Sequence, residues 1–347
     1  MTSNNYQPVY FGGEMAKRNV ALLVSPASVT RIFAPDDLTV LRRRYNIAAV
    51  SGENPDHQAP ELLRQAEACI TSWGSPRLDE KLLSAAPFLK LVVHAAGTVK
   101  PYVSEALWQR GIQVSSAAAA IAPGVAEHAL GLMLCAMKRT CWFNEKIHRG
   151  IWRDEAEISR VMEPFGIRVG VIGLGHTGRC FLKLLRNFEV KILCYDPFFS
   201  AEKIRKLGGE KVDDLDDLIP QVEVLSLHAP SLPETRHLLN SDRLKLIKDG
   251  AILINTARGA LIDEPALYQE LKDGRFTACL DVTDPEPPSP DNPLLTLPNV
   301  IFTPHVAGAA SQNLYRIGRL VRKELNRFFS KKPLLHQVRQ EDLNRLA

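Results

Sequence analysis

Three short segments of the 347-residue sequence place side chains with useful chemistry just after apolar runs that are typical of buried strands. Arg258 follows the run 251–254, Glu286 lies in a Pro-rich stretch after a second run, and His305 follows the run 300–303. In open α/β sheets, ligands bind beyond the carboxyl ends of the strands. An imidazole donates a proton near neutral pH, and a planar guanidinium binds a carboxylate through paired hydrogen bonds. These residue types therefore favour proton transfer on a small carboxylate substrate.

Each of these side chains also has a simpler interpretation. Arg258 could cap a strand at the surface, Glu286 could be solvated in its Pro-rich loop, and His305 could be structural, as in many Pro-His pairs. His94 and His228 also follow strand-like runs, so both are rival acids, and we expect His94 to line the entrance of the cleft. The ordered set of segments, which follows a nucleotide-binding pattern, favours the chemical interpretation.

That pattern is the segment 173–178, Gly-Leu-Gly-His-Thr-Gly, which follows a strand pattern and precedes a helix pattern. In such a fingerprint Gly173 permits a tight turn, Gly175 lets backbone N–H groups approach a pyrophosphate, and Gly178 lets the helix pack closely on the strand. Asp196 lies 18 residues after Gly178. A carboxylate there accepts hydrogen bonds from the adenosine ribose and repels a 2′-phosphate. The pattern predicts NAD as the cofactor, with ordinary turns and a solvated aspartate as the alternative.

Two series of alternating strand and helix patterns must position these residues. The first has strands at 20–24, 47–50, 68–71, 89–93 and 112–114, with helices at 38–45, 60–66, 79–86 and 104–110. The second has strands at 169–172, 191–195, 222–227, 251–255, 278–282 and 300–303. A long apolar helix, 125–140, joins the series, and a helix at 311–329 follows them. Short strands alternating with helices predict two α/β domains with parallel sheets, Rossmann-like or flavodoxin-like.

Composition and charge argue against several functional classes. The formal net charge is +4 and the pI is near 8.7, with Lys and Arg mixed among Asp and Glu, so we expect no nucleic-acid partner. No apolar run reaches the roughly 20 residues that cross a bilayer, and Met1–Lys17 lacks the apolar core of a signal peptide. The six cysteines form no CxxC pair and lie mostly in apolar runs, which indicates buried thiols and no metal site. We therefore expect a cytoplasmic protein without a membrane partner.

Four motifs together resemble the D-isomer-specific 2-hydroxyacid dehydrogenase family. They are the glycine fingerprint in mid-chain, Asn-Thr-Ala-Arg-Gly at 255–259, Leu-Asp-Val at 280–282 followed by Glu286-Pro287, and Thr-Pro-His at 303–305. Their order and spacing are family-like, with 28 residues from Arg258 to Glu286 and 19 more to His305. The resemblance extends from about Leu89 to Phe329 and includes the segments 125–127, 227–230 and 235–237.

The resemblance implies hydride transfer between NAD(H) and a 2-hydroxy acid/2-oxo acid pair. His305 would be the acid/base for the carbonyl oxygen, a buried Glu286 would orient it and raise its pKa, and Arg258 would bind the substrate carboxylate. The substrate contacts so implied are Ala96, Gly97, Thr98 and Arg258. The cofactor contacts so implied are Gly173, Gly175, His176, Thr177, Gly178, Asp196, His228, Ala229, Pro230, Thr235, Thr256, Ala257, Arg258, Asp281, His305 and Gly308, of which Thr256, Ala257 and Asp281 would hold the nicotinamide.

The resemblance also implies a cofactor domain, residues 121–305, inserted into a substrate domain made of residues 1–120 and 306–347. The long apolar helix favours a homodimer that buries it, with a purely interdomain helix as the alternative. Two departures from the family are Gly97-Thr98-Val99-Lys100, where Gly-Val-Asp is frequent, and Ile121, where Asn is frequent. They leave glyoxylate, hydroxypyruvate, phosphoglycerate and bulkier 2-oxo acids open as substrates.

Other functions fit the same fold. Formate dehydrogenases resemble it but carry Gln at the position of Glu286, so the carboxylate favours hydroxy-acid chemistry. Transcriptional co-repressors that sense NAD share the fold and even the Arg, Glu and His, so an NAD-sensing regulatory protein is the alternative from another class. Among enzymes, a dehydrogenase for a non-carboxylate substrate is the alternative. The complete set of motif residues favours the 2-hydroxyacid dehydrogenase.

Overall fold

The computed structural model describes residues 17–346, and residues 17–116 form a first α/β unit. Its strands are β1 (Arg18–Leu23), β2 (Tyr45–Ala49), β3 (Ala68–Thr71), β4 (Leu91–His94) and β5 (Gln113–Ser116), paired in parallel in the order β5-β4-β3-β1-β2. Its helices are α1 (Pro26–Ile32), α2 (Pro35–Arg44), α3 (Ala59–Leu63), α4 (Glu80–Ser84) and α5 (Glu105–Gln109). The five predicted strands and four predicted helices of this half are confirmed. The prediction missed α1, which the Ser25 side chain caps by accepting from the backbone N–H of Ser28.

Residues 118–302 form a second unit that begins with three helices, α6 (Ala118–Met137), α7 (Thr140–His148) and α8 (Glu155–Ile158). The alternating elements that follow are β6 (Phe165–Ile172), α9 (His176–Leu185), β7 (Glu189–Tyr195), α10 (Ala201–Lys206), β8 (Glu210–Lys211), α11 (Leu215–Leu218), β9 (Val224–Leu227), α12 (Ser241–Lys245), β10 (Ile252–Asn255), α13 (Glu264–Leu271), β11 (Thr277–Leu280) and β12 (Val300–Phe302). The seven strands are all parallel, in the order β12-β11-β10-β9-β6-β7-β8. All six predicted strands are confirmed, and only the two-residue edge strand β8 was missed.

Both faces of each sheet are buried, as parallel sheets require. In β1, Val20 and Leu22 pack into one apolar cluster, whereas Ala21 and Leu23 pack into another on the opposite face. This alternation follows from the two-residue period of side chains along a strand. The second sheet is likewise covered by one cluster on each face. The loops at the carboxyl edges of the two sheets are therefore supported by buried apolar cores.

After β12 the chain returns to the first sheet through α14 (Asn313–Phe329) and β13 (Gln337–Val338). Helix α14 buries its apolar stripe in a core cluster of the first sheet, and β13 pairs antiparallel with β5, with Val338 opposite Val114. The five main strands of the first sheet are parallel, as predicted, and β13 adds one antiparallel edge strand that the sequence analysis did not predict. A two-residue strand carries too little periodicity for a sequence pattern to reveal it.

Helix α6 is long and apolar enough, by length and composition, to cross a membrane. In the described chain it instead packs against α9, α14 and the strands β10 and β11. It begins at Ala118, seven residues before the predicted start, because the helix continues through Pro123. A proline removes one backbone donor, which makes the stretch before it resemble a helix boundary in sequence.

The six cysteines, all within residues 17–346, are free thiols. Cys69, Cys194 and Cys279 are buried, but Cys141 is exposed, so the expectation of burial is wrong for Cys141. Between Lys17 and Leu346, no three His, Cys, Asp or Glu side chains lie close enough together to hold a metal ion. The prediction that Met1–Lys17 lacks the apolar core of a signal peptide concerns residues that, except for Lys17, lie outside the described part of the chain.

Candidate active site

The glycine loop between β6 and α9 has the geometry of a nucleotide-binding turn. Gly173 has φ +91°, and a Cβ there would lie 2.6 Å from the backbone nitrogen of Ala229. A Cβ at Gly178 would lie 2.0 Å from the carbonyl oxygen of Gly173, so helix and strand touch at this point. A Cβ at Gly175 would meet nothing within 4 Å. Gly175 thus leaves open space in front of the N-terminus of α9, where a helix favours an anion.

A cleft of about 350 Å³ lies between the carboxyl edges of the two sheets. Eleven of the predicted site residues line it, from both units: Gly97, Thr98, Gly175, His176, Thr177, His228, Ala229, Pro230, Thr256, Ala257 and Arg258. The sequence analysis missed two further walls of the cleft. One is the start of α6, including Ile121, and the other is the C-terminal end of the described chain, residues 335–346.

Two polar atoms in the walls of this cleft are buried and have no hydrogen-bond partner among residues 17–346. They are Thr256 Oγ1 and His228 Nδ1. An unsatisfied buried polar atom costs about 1–3 kcal/mol, so such atoms are kept where a ligand supplies the partner. Their position, together with the open glycine loop, fits a bound dinucleotide.

His305 and Glu286 form the closest predicted pair. The imidazole Nδ1 lies 2.5 Å from Glu286 Oε1, although the two residues come from different loops, after β12 and β11. His305 has φ +51°, in the left-handed region that few residues other than glycine adopt. The two side chains are 45% and 42% exposed, so the expectation of a buried carboxylate is wrong for this structure. The pair lies beside the cleft rather than in its lining.

Arg258 extends from the turn after β10 into the cleft. Burial lowers the pKa of its guanidinium, whereas the negative charge of the Glu286 carboxylate raises it. Arg258 is therefore close enough to the His305–Glu286 pair to interact with it electrostatically. No carboxylate of residues 17–346 forms an ion pair with Arg258 within 4 Å. Arg258 Nη1 donates to the Ala257 carbonyl at 2.6 Å, but a desolvated cation without an acidic partner favours binding of an anion.

Asn255 and Gly259 shape the turn that carries Arg258. The Asn255 side chain donates from Nδ2 to the Arg258 carbonyl and accepts from the Ala257 N–H, at 2.8 and 3.0 Å. A Cβ at Gly259 would lie 2.0 Å from the carbonyl carbon of Thr283, so only glycine allows the two loops to touch. The sequence analysis quoted both residues only as part of a motif.

Asp281 holds the loop that carries His305. Its buried carboxylate accepts from Thr303 Oγ1 at 2.5 Å and from the backbone N–H groups of Val306 and Ala307 at 3.0 and 3.1 Å. Its carbonyl oxygen accepts from the His305 N–H at 2.8 Å. The residue predicted to hold the nicotinamide therefore also fixes the backbone on both sides of the imidazole. The sequence analysis quoted Thr303 only as part of the Thr-Pro-His motif and did not predict its bond to Asp281.

The two rival histidines are buried. His228 Nε2 lies 3.0 Å from Ser226 Oγ, and burial lowers the pKa of this imidazole to about 3. His94 is 1% exposed and its Nδ1 lies 2.9 Å from Thr71 Oγ1, with its pKa lowered to about 4 by burial. The expectation that His94 lines the cleft entrance is therefore wrong. Both rings are neutral near pH 7, so neither carries a proton to donate as an imidazolium at that pH.

Residues 130–307, about half of the chain, match the family model described as D-isomer specific 2-hydroxyacid dehydrogenase, NAD binding domain. The chain is also 30% identical to a glyoxylate reductase of Korarchaeum cryptofilum over 306 residues, which cover 86% of this chain and 91% of that protein. This chain belongs to the D-isomer-specific 2-hydroxyacid dehydrogenase family. The match assigns a nicotinamide cofactor to the second unit.

Two further relatives of this family member bear on its length and shape. It is 35% identical to a D-3-phosphoglycerate dehydrogenase of Methanocaldococcus jannaschii over 300 residues, 86% of this chain and 56% of that protein. The chain thus spans about half the length of the first curated relatives it matches. The apo form of a D-mandelate dehydrogenase from Rhodotorula graminis superposes with a TM-score of 0.81 at 26% identity, covering 93% of this chain and 98% of that one.

Several family positions predicted to contact the ligands have internal roles in this dehydrogenase family member. Thr235 Oγ1 accepts from the Leu232 N–H at 2.8 Å and donates to the Pro230 carbonyl at 2.6 Å. A Cβ at Gly308 would lie 2.5 Å from Ile121 Cγ2, and Ala96 is fully buried. The structure does not bring these three to the cleft lining. Gly173, Gly178, Asp196, Asp281, Glu286 and His305 also lie outside it.

Lys100, in the loop 97–100 that departs from the family pattern, places a second cation near Arg258. Burial and the positive charge of Arg258 both lower the pKa of the Lys100 ammonium. The two residues come from different units, since Lys100 follows β4 and Arg258 follows β10. Two cations from different units therefore lie close enough to repel each other.

Proposed function

We propose that this protein is an NAD-dependent oxidoreductase that interconverts a 2-hydroxy acid and a 2-oxo acid. The observation that carries the proposal is the His305–Glu286 pair beside a cleft that contains the unpaired cation of Arg258. Glu286 binds Nδ1 of the imidazole and leaves Nε2 to give a proton to the carbonyl oxygen, or to take it in the reverse direction. Arg258 binds the substrate carboxylate with its planar fork.

The cofactor would lie along the second sheet. The glycine loop and the N-terminus of α9, with His176 and Thr177, would bind its pyrophosphate. Residues 228–230 would lie beside the cofactor, and Thr256, Ala257 and Asp281 would hold the nicotinamide. When bound, the nicotinamide supplies or accepts the hydride. Arg258 and His305 orient the substrate carbon toward that ring, and closure of the cleft excludes water.

We propose NAD rather than NADP because of Asp196 at the end of β7. Its two carboxylate oxygens accept from the backbone N–H groups of Leu174 and Phe198, at 2.7 and 2.8 Å, and it is 7% exposed. These bonds hold the Asp196 carboxylate at the edge of the glycine loop. There it would accept hydrogen bonds from the ribose hydroxyls of NAD and repel the 2′-phosphate of NADP.

Asp196→Ala is expected to reduce the preference for NADH over NADPH by about tenfold, since one repulsive charge contact is worth on the order of 1 kcal/mol or more. The ratio of kcat/KM for the two cofactors measures this effect. Asp242→Ala, on the exposed face of α12, serves as the control and should leave the ratio unchanged. Unchanged discrimination in Asp196→Ala would contradict the role of this carboxylate.

We propose that residues 121–305 are the NAD-binding domain and that residues 1–120 and 306–347 form the substrate domain. The return of α14 and β13 to the first sheet supports this division. The substrate would then enter between the domains, with Gly97 and Thr98 on one side and Arg258 on the other. We further propose a cytoplasmic location without nucleic-acid or membrane partners, in keeping with the modest charge and with Arg42 to Arg44 exposed at the end of α2.

We propose that the protein is a homodimer that covers α6 and the segment after it. Exposed apolar side chains follow this helix, including Ile151, Trp152 at 84% exposure and Phe165 at 69%. We expect a mass of about twice 38.6 kDa by light scattering and a shift toward monomer in Trp152→Asp. Phe88→Asp, an exposed aromatic on the first unit, is the control. A monomeric wild-type protein would contradict the proposal.

A panel of 2-oxo acids, assayed with both NADH and NADPH, tests the proposed activity. Glyoxylate, hydroxypyruvate, phosphohydroxypyruvate and bulkier aryl and alkyl 2-oxo acids cover the open choices. Turnover with at least one of these and NADH is the expected result. NADH binding without turnover of any would instead favour an NAD-sensing regulatory protein.

A further inference from the structure

The C-terminal segment, residues 333–346, is anchored to the first unit by buried contacts. The buried carboxylate of Glu324 in α14 accepts from the backbone N–H of Leu335 at 3.1 Å and from Ser115 Oγ at 3.1 Å. The next residue, His336, accepts at its carbonyl from the Ser116 N–H at 3.2 Å, and Val338 is buried in the core below β5. The start of this segment therefore has a fixed position over the end of β5.

From this anchor, the C-terminal segment crosses to the cofactor side of the cleft. The ring of His336 lies 6.2 Å, between centroids, from the ring of His176, the first residue of α9. The guanidinium of Arg345 lies 5.0 Å from the centroid of Phe198, two residues after Asp196. His336 and Arg345 both line the same cleft as the glycine loop.

We propose that the C-terminal segment is part of the cofactor site, with His336 binding the pyrophosphate opposite His176 and Arg345 binding the adenosine end beside Phe198. This inference rests on the proposed NAD-dependent function. It assigns two ligand contacts to a part of the chain that lies outside the glycine fingerprint and the second sheet.

The chemistry of the positions supports the proposal. A pyrophosphate carries negative charge at the N-terminus of α9, and an imidazole facing it donates a charge-assisted hydrogen bond. The Arg345 guanidinium is exposed and lies over the ring of Phe198, close to Asp196. From this position it can contact the adenine or the ribose of the bound cofactor. One dinucleotide would then contact a segment anchored in the first unit and a loop of the second unit. Cofactor binding would thus hold the two units together.

Binding measured by calorimetry, with the full chain and without substrate, tests the proposal. ADP-ribose is the decisive probe because it contains the adenosine and the pyrophosphate but no nicotinamide. We expect His336→Ala to weaken ADP-ribose and NADH about tenfold, and Arg345→Ala to weaken both about threefold to fivefold. His336→Gln, which keeps a hydrogen-bond donor, should recover part of the loss. These variants should melt at the same temperature as the wild type in the absence of ligand.

Arg339→Ala is the matched control, since Arg339 lies on the same segment and its side chain is 67% exposed. It should bind both ligands as the wild type does. Equal losses in Arg339→Ala and Arg345→Ala, or unchanged affinity in His336→Ala and Arg345→Ala, would overturn the inference. In that second case wild-type binding of NADH would leave the proposed function intact. A wild-type protein that binds neither NADH nor ADP-ribose would instead remove the proposed function and the inference together.

Discussion

Replacing His305 with asparagine is expected to lower kcat by about 10²- to 10⁴-fold, the range that general acid–base catalysis contributes. Asparagine is the appropriate substitution because His305 has φ +51°, a conformation that asparagine tolerates and most residues do not. It also keeps a polar group near Glu286, so the loop that Asp281 holds should stay in place. Steady-state turnover of the preferred 2-oxo acid measures the effect, and NADH affinity measured separately should change little.

His237→Asn is the control for this change. His237 is the other described histidine with positive φ, +49°, and its side chain is 40% exposed at the edge of the second unit, 3.9 Å from Asp263. Its replacement removes an imidazole from the same kind of backbone and should leave kcat within about twofold. If His305→Asn and the control His237→Asn both retain wild-type turnover, then His305 is not the proton donor. His94 and His228 are buried and neutral near pH 7, so the next histidines to replace would be His176 and His336, which line the cleft.

Replacing Arg258 with lysine is expected to reduce kcat/KM for 2-oxo acids by about 10²- to 10³-fold. Lysine keeps the positive charge but cannot present two parallel N–H donors to a carboxylate, and each lost charge-assisted bond is worth about 1.5–3 kcal/mol. The loss should fall on both KM and kcat because the same contact fixes the substrate for hydride transfer. Initial rates across a substrate series, with NADH saturating, give the two parameters.

Arg236→Lys is the matched control, because Arg236 lies on the same side of the second unit but is 59% exposed and paired with Asp284 at 3.1 Å. It should leave kcat/KM within about twofold. An unchanged kcat/KM in Arg258→Lys would show that the substrate carboxylate binds elsewhere, with Lys100 as the next cation to replace. A loss of NADH affinity as large as the loss in kcat/KM would mean that Arg258 serves the cofactor rather than the substrate.

The order of elements and the identity of the chemical groups follow from the sequence. Strands such as Ala68–Thr71 are short, apolar and separated by helix patterns, so local periodicity suffices to place them. The glycine fingerprint also acts locally, since Gly173 and Gly178 are required by the turn they form. The ordered positions of Arg258, Glu286 and His305 were likewise readable, because each follows a strand of one parallel sheet, whose strands all end at the same edge.

Other features depend on which surfaces meet after folding. The exposure of the His305–Glu286 pair, the burial of His94 and the engagement of Asp281 by Thr303 result from contacts between loops distant in sequence. Burial and loop–loop hydrogen bonds have no local periodicity, so a single sequence does not encode them in a readable pattern.

The C-terminal segment shows most clearly which features the sequence predicts and which require the folded structure. The sequence alone determined the family motifs, the two α/β units and the helix α14, since each has a local pattern. Only the tertiary structure placed β13 beside β5 and brought His336 and Arg345 to the lining of the cleft. That placement depends on a buried carboxylate, Glu324, and on pairing across more than 200 residues, contacts whose energy is gained only when the whole chain has folded.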